Sequence, residues 1–130
     1  MKKIIISLIM AACLVFVTAA DVYAQTKQRV RFARGTSSAT GKGTVRGFAY
    51  RDYIVGASGG QTIDVKLTSS NSVLTIFLPN GDNLEGASET DEFAGELPTS
   101  GDYVIRVGMM RTEARRPRSV SSYTLKISIR

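Results

Sequence analysis

In TIDVKLTS and again in SYTLKISIR, every second residue is apolar. Ile63, Val65 and Leu67 alternate with Asp64, Lys66 and Thr68, and Tyr123, Leu125, Ile127 and Ile129 alternate with Thr124, Lys126, Ser128 and Arg130. Successive side chains of a strand point to opposite faces, so each segment puts one face on a core and the other in water. Wound at 3.6 residues per turn, the same apolar side chains would be scattered around a helix. Further strands are predicted at 28–33, 44–48, 52–57, 73–78, 92–97 and 103–109. Turn-forming stretches separate them: Gly59-Gly60, Ser69-Ser70-Asn71, Pro79-Asn80-Gly81-Asp82 and Pro98-Thr99-Ser100-Gly101-Asp102. Eight short strands at this spacing predict an all-β fold, an antiparallel β-sandwich, with a small closed β-barrel as the alternative. No stretch carries a convincing amphipathic helix.

The N-terminus reads as an export signal. Lys2 and Lys3 precede an apolar run from Ile4 to Val17 broken only by Ser7, and Val22-Tyr23-Ala24 has the small-residue pattern of a cleavage site before Gln25. Residues 1–24 are therefore expected to be a cleaved signal peptide and 25–130 a single β domain in the periplasm. The rival reading is lipidation at Cys13 after Ala11-Ala12. It is disfavoured because the mature chain would then keep its greasiest segment, so no membrane anchor is expected in the mature protein. Removing Lys2, Lys3 and Asp21 from the 17 basic and 11 acidic residues leaves 15 and 10, a net charge of +5.

After cleavage the chain has no cysteine, and it has no histidine or tryptophan at all. No disulfide can staple the fold, and most metal-ligand sets are missing. The usual catalytic bases and nucleophiles are missing with them. Six acids and no base lie in 82–96, which suits a solvated loop; the alternating spacing of a calcium loop is absent. Gly56, Gly59 and Gly60 lack the lysine and following helix of a phosphate-binding loop. The chain reads as a binding protein that is not an enzyme and uses no cofactor.

Binding points to GMMRTEARRPRSV, residues 108–120, which holds Arg111, Arg115, Arg116 and Arg118 against the single acid Glu113 and contains no lysine. An exported protein without a lysine-rich amphipathic helix or interleaved aromatics is a poor fit to nucleic acid or an anionic membrane. The plain alternative is a solvated hairpin loop paired with the acidic stretch. Against it, one helical turn through Thr112, Glu113 and Ala114 would put Arg111 and Arg115 on the same face. Two planar guanidinium forks side by side suit a cleft lined with carboxylates, which each fork can bind bidentately.

GELPTSGDYVIRVGMMRTEARRPRSVSSYTLKISIR, residues 95–130, resembles the C-terminal half of the periplasmic inhibitors of g-type (goose-type) lysozyme, the PliG family. The resemblance rests on Leu-Pro-x-Ser-Gly-x-Tyr-x-Ile-Arg-Val, then Arg-x-x-Ala-Arg, then the closing Tyr-x-Leu-x-Ile-x-Ile strand. Residues 30–67 match the N-terminal half in pattern. Strands like LPTSGDYVIRV also occur in peptidase-associated C-terminal domains, so the arginine motif at its distance is the specific part. The resemblance implies a β-sheet inhibitor whose partner is g-type lysozyme, with Arg111 and Arg115 entering the glycan cleft. Ser100, Gly101 and Tyr103 match the shared turn motif, although Tyr103 also fits a core or corner tyrosine. Phe48 and Tyr50 match a tyrosine-rich hairpin, but Phe48 stands where the family has tyrosine and so brings packing without a hydroxyl. Arg116 joins the set as the next cation in the loop, though beside Pro117 it can equally be solvated. The alternative function is an exported, non-enzymatic β-sandwich module that binds glycan or polyanion, which the lack of tryptophan disfavours.

Overall fold

The computed structural model describes residues 26–32 and 37–130. The expected signal peptide at 1–24, and Cys13 within it, lie outside the described residues. Eight strands form: β1 (Thr26–Arg29), β2 (Ser38–Arg46), β3 (Tyr50–Ala57), β4 (Thr62–Ser69), β5 (Ser72–Phe77), β6 (Glu92–Glu96), β7 (Gly101–Met109) and β8 (Val120–Ile129). One helical turn, α1 (Arg111–Ala114), lies between β7 and β8. The strands make two four-stranded sheets, ordered β1-β3-β7-β5 and β2-β8-β4-β6. The sandwich is the observed architecture, and the closed barrel is not.

The period-two segments do what their alternation predicts. Ile63, Val65 and Leu67 of β4 and Leu125 and Ile127 of β8 are buried between the sheets, facing Val55, Leu74, Ile76, Ile105 and Val107. The acidic stretch is solvated in its side chains: Asp82, Glu85, Glu89, Asp91, Glu92 and Glu96 are all exposed. Its backbone, however, is fixed. Leu84 and Ala87 are buried, the Leu74 and Thr90 amides exchange hydrogen bonds with each other's carbonyls at 2.7 and 3.0 Å, and the Leu67 amide donates to Asp91 at 2.7 Å. The segment thereby crosses from one sheet to the other and closes that side of the sandwich.

Two strand expectations need correction. β1 begins and ends earlier than predicted and pairs with β3 in parallel, the one departure from antiparallel pairing among the described residues. β2 begins at Ser38 rather than at 44, pairing along its full length with β8 although Ser38–Lys42 carries no apolar alternation. Side-chain pattern could not find this extension, because its glycines are there for what lies beneath them. Tyr53 and Tyr123, from opposite sheets, meet hydroxyl to hydroxyl at 2.6 Å with their rings edge to face. A Cβ on Gly43 would come within 2.6 Å of the Tyr123 hydroxyl and 2.7 Å of an Arg51 Nη1, and one on Gly41 within 3.2 Å of the Tyr53 ring. Gly43→Ala is therefore expected to destabilise the fold by about 1–3 kcal/mol, the usual cost of overpacking, measured as a shift in the urea midpoint.

Burial, reinforced by the hydrogen bond that the neutral Tyr123 hydroxyl makes to Tyr53, raises the Tyr123 phenol above its ordinary value of 10.0. A folded-state value above the unfolded one means the neutral phenol's contribution is complete below pH 10 and declines as pH rises further. The urea midpoint of the wild type should accordingly fall more steeply above pH 10 than that of Tyr123→Phe, and parallel profiles would refute this.

Candidate protein-binding site

Strand register gathers three connections at one end of the sandwich. Tyr50 pairs with Gly108, Ser72 with Met109, and Arg46 with Val120, which brings together the β2–β3 turn, the β4–β5 turn and the arginine loop. The chain leaves β7 through Met110 in an extended conformation and enters α1 at once, with Arg115 continuing in helical geometry. The Ala114 amide donates to the Met110 carbonyl at 2.9 Å and the Arg115 amide to the Arg111 carbonyl at 3.1 Å. The helical turn that would put Arg111 and Arg115 on one face is therefore present. Ala114 is its buried side, while Arg111 and Arg115, four positions apart, are exposed.

The loop is tied to both neighbouring turns. Asn71 Nδ2 donates to Glu113 Oε2 at 3.3 Å, the Ser119 hydroxyl donates to the Ala114 carbonyl at 3.1 Å, and the Gly47 amide donates to the Ser119 carbonyl at 3.1 Å. Beneath it the buried hydroxyls of Ser72 and Ser121 lie 2.8 Å apart. A loop fixed in this way has less conformational entropy to lose when a partner binds.

Exposed apolar area concentrates here too. The large hydrophobic side chains most exposed among the described residues are Phe48, Met110 and Val120, and all three belong to this end. Phe48, Tyr50, Arg106, Met110 and Arg111 border one shallow depression, with Glu89 on its rim. Beyond Gly47, Arg46, Arg116 and Arg118 border a second. Aromatic residues, methionine and arginine are the types enriched in protein interfaces, whereas lysine and glutamate are depleted. The pairing of this loop with the acidic stretch is not observed: among the described residues none of the six acids forms an ion pair. Arg116 approaches Glu113 at 3.8 Å.

Arg106 is the residue that sequence left unplaced. It lies on the outer face of its sheet, directly opposite Asp52, and holds that carboxylate with Nε at 2.8 Å and Nη2 at 3.1 Å. Its guanidinium carbon sits 3.9 Å above the centre of the Tyr50 ring and 5.0 Å from that of Phe77. The hydrogen bond to Asp52 raises the Arg106 pKa above its ordinary value, so it is a fixed cation that also holds the Tyr50 ring. The available signal was Asp52 itself, the lone acid in YRDYIV, but locating its partner required the register.

Ser100, Gly101 and Tyr103 are not brought to this end. They begin β7 while the arginine loop follows its last residue, a separation of roughly 26 Å at ~3.3 Å per residue. Tyr103 is buried, with its hydroxyl donating to the Thr99 carbonyl at 2.6 Å, the geometry of a corner tyrosine. Ser100 Oγ accepts the Gly59 amide at 2.9 Å. Gly101 has φ of 144°, and a Cβ there would strike Pro79 at 2.9 Å.

No protein-family model matches the chain. A curated relative from Escherichia coli (strain K12), "Inhibitor of g-type lysozyme", is 30% identical over 122 residues, which is 90% of this chain and 91% of the relative. Among solved structures, Aeromonas hydrophila PliG, a periplasmic inhibitor of g-type lysozyme, superposes with a TM-score of 0.70 at 34% identity, over 82% of this chain and 98% of its own. A mutant of E. coli PliG gives 0.70 at 29% identity, over 82% and 100%. The pre-peptidase C-terminal domain of Bacillus anthracis collagenase, at 12% identity and a TM-score of 0.53 over 82% and 97%, shares the fold alone. The homologous proteins are inhibitors rather than enzymes, and the chain belongs to their family, the inhibitors of g-type lysozyme.

Proposed function

We propose that the protein is exported with loss of residues 1–24 and inhibits g-type lysozyme in the periplasm by presenting Arg111 and Arg115 to the enzyme's glycan cleft. The observation that carries this reading is the gathering of the exposed arginines and the exposed large hydrophobics at one end of a family member's sandwich. A glycosidase cleft must hold a carboxylic acid to protonate the glycosidic oxygen, with a second carboxylate or a positioned water nearby. A guanidinium bound there neutralises the acid–base machinery and occupies the sugar's place. Phe48, Tyr50 and Met110 exclude water around those ion pairs, which strengthens them. Phe48, lacking a hydroxyl, acts by apolar contact alone. Arg116 contributes from the second depression, and Ser100, Gly101 and Tyr103 hold the far end of β7 in place without touching the enzyme.

The test is a titration of goose-type lysozyme acting on peptidoglycan with the exported protein, run beside a chicken-type enzyme. The expected result is stoichiometric loss of goose-type activity alone. Full activity at micromolar inhibitor rejects the proposal. The same preparation checks export: its intact mass should correspond to a chain beginning at Gln25, and a diacylglycerol adduct on Cys13 would replace that assignment.

A further inference from the structure

The depression bordered by Arg46, Arg116 and Arg118 is a second concentration of positive charge, separate from the one bordered by Phe48 and Arg111. All three of its arginines are exposed. The acid beside them is Glu113, and its carboxylate is already engaged by Asn71 at 3.3 Å and lies 3.8 Å from Arg116. Among the described residues Arg46 and Arg118 make no ion pair. Arg118, moreover, occupies the left-handed backbone region, with φ of 57°. Glycine or asparagine adopts that conformation more easily, and an arginine held there is strained. The fold gains nothing visible from this side chain, since its guanidinium contacts no acid.

Only the β2–β3 turn separates the two depressions, and Gly47 borders one while Phe48 borders the other. An interface of ordinary size, roughly 800 Å² on each partner, spans both. A partner that covers Phe48 and Arg111 therefore covers Arg46 and Arg118, and covering them without supplying negative charge is costly. Val120, exposed and directly opposite Arg46 in the ladder, adds an apolar contact at the same place.

We infer that Arg46, Arg116 and Arg118 form a second recognition site for carboxylates on the surface of the lysozyme partner, outside its catalytic cleft, and that this site sets which lysozymes the protein accepts. The inference rests on the inhibitor reading above. It divides the labour: Arg111 and Arg115 block catalysis, while the second depression adds affinity to enzymes that carry acids at the matching position and repels those that carry bases.

The experiment compares the wild type with Arg46→Ala/Arg118→Gly, neither substitution touching Arg111 or Arg115. Association and dissociation rates with goose-type lysozyme are measured across a salt series, with a melting curve for each protein. The expected result is about ten- to hundredfold weaker binding and a shallower salt dependence, with complete inhibition still reached at saturation. Arg118→Gly alone should melt at the same temperature or higher, because it removes the left-handed strain. Unchanged affinity and salt dependence in a variant of a wild type that does inhibit overturns this inference alone, and no inhibition by the wild type overturns the parent reading with it. Vesicles containing phosphatidylglycerol provide a further arm: binding to them that is lost in the variant while lysozyme affinity is kept assigns the patch to a phosphate surface and overturns the inference.

Discussion

Replacing Arg111 and Arg115 together by alanine is expected to raise the inhibition constant for goose-type lysozyme by at least about a thousandfold. Truncating one desolvated arginine anchor costs roughly 2–5 kcal/mol, and each 1.4 kcal/mol is about tenfold in affinity. Two anchors on one turn are not additive, so the lower end of their sum is the safer expectation. Both side chains are exposed, and the turn beneath them is held by Ala114, Glu113 and Ser119. The double variant should therefore melt within about 4 °C of the wild type, as surface substitutions away from special features usually change stability by no more than about 0.5 kcal/mol. Inhibition that persists in a folded double variant would remove these arginines from the mechanism. Arg111→Lys/Arg115→Lys separates charge from shape: if bidentate forks matter, the lysines recover only a small part of the affinity.

The net charge of +5 carried by residues 25–130 sharpens this expectation. It offers no long-range attraction toward a cationic enzyme, so discrimination must come from contacts made at short range. A loop pre-shaped by two hydrogen bonds to its neighbouring turns and one within itself is suited to that task, because little ordering remains to be done on binding.

How far the sequence could be read depended on the kind of information each residue carries. β4 and β8 were legible because alternation is a local signal and both strands have one wet face. The turn of α1 was legible only as a condition, because a spacing of four says what a helical turn would do with the two arginines and not that the turn forms. The first half of β2 was not, since Gly41 and Gly43 are selected by the Tyr53–Tyr123 pair below and say nothing periodic themselves. The parallel docking of β1 was also hidden, because a four-residue strand fits either direction by pattern alone. For the proposed site, sequence offered Arg111, Arg115, Phe48 and Tyr50 as candidates. It could not say that the β2–β3 turn folds beside the arginine loop, nor that Ser100 and Gly101 sit at the opposite end of β7, because both depend on register. The acidic stretch was read correctly in its side chains, while its bridging role depends on Leu84 and Ala87, two small signals among six charges.

Register also creates a polar pair whose disruption should cost the fold heavily. Arg106→Ala is expected to destabilise the protein by about 3 kcal/mol, a large share of the roughly 5–15 kcal/mol that holds a domain of this size together. Asp52 is 2% exposed, and both of its oxygens are held by Arg106. Removing the guanidinium leaves that carboxylate desolvated without a partner and takes away the stack on Tyr50 and Phe77. The low end of the range for a broken buried pair applies, because the Arg106 side chain itself remains 37% exposed and water can reach the vacated place. Asp52→Asn/Arg106→Ala should recover part of the loss by removing both charges at once, and with the two single variants it closes a double-mutant cycle that measures the coupling directly. Urea denaturation of the four proteins makes the check, and a loss below about 1 kcal/mol for Arg106→Ala would show that the pair is screened as an ordinary surface bridge is. Binding should report the same residue differently. At a temperature where the variant is fully folded, a Tyr50 ring freed from its cation is less well ordered, so the affinity for goose-type lysozyme should fall by about tenfold while the stoichiometry of inhibition stays the same. A variant that is less stable yet inhibits with unaltered affinity would confine Arg106 to the fold and leave Tyr50 to position itself.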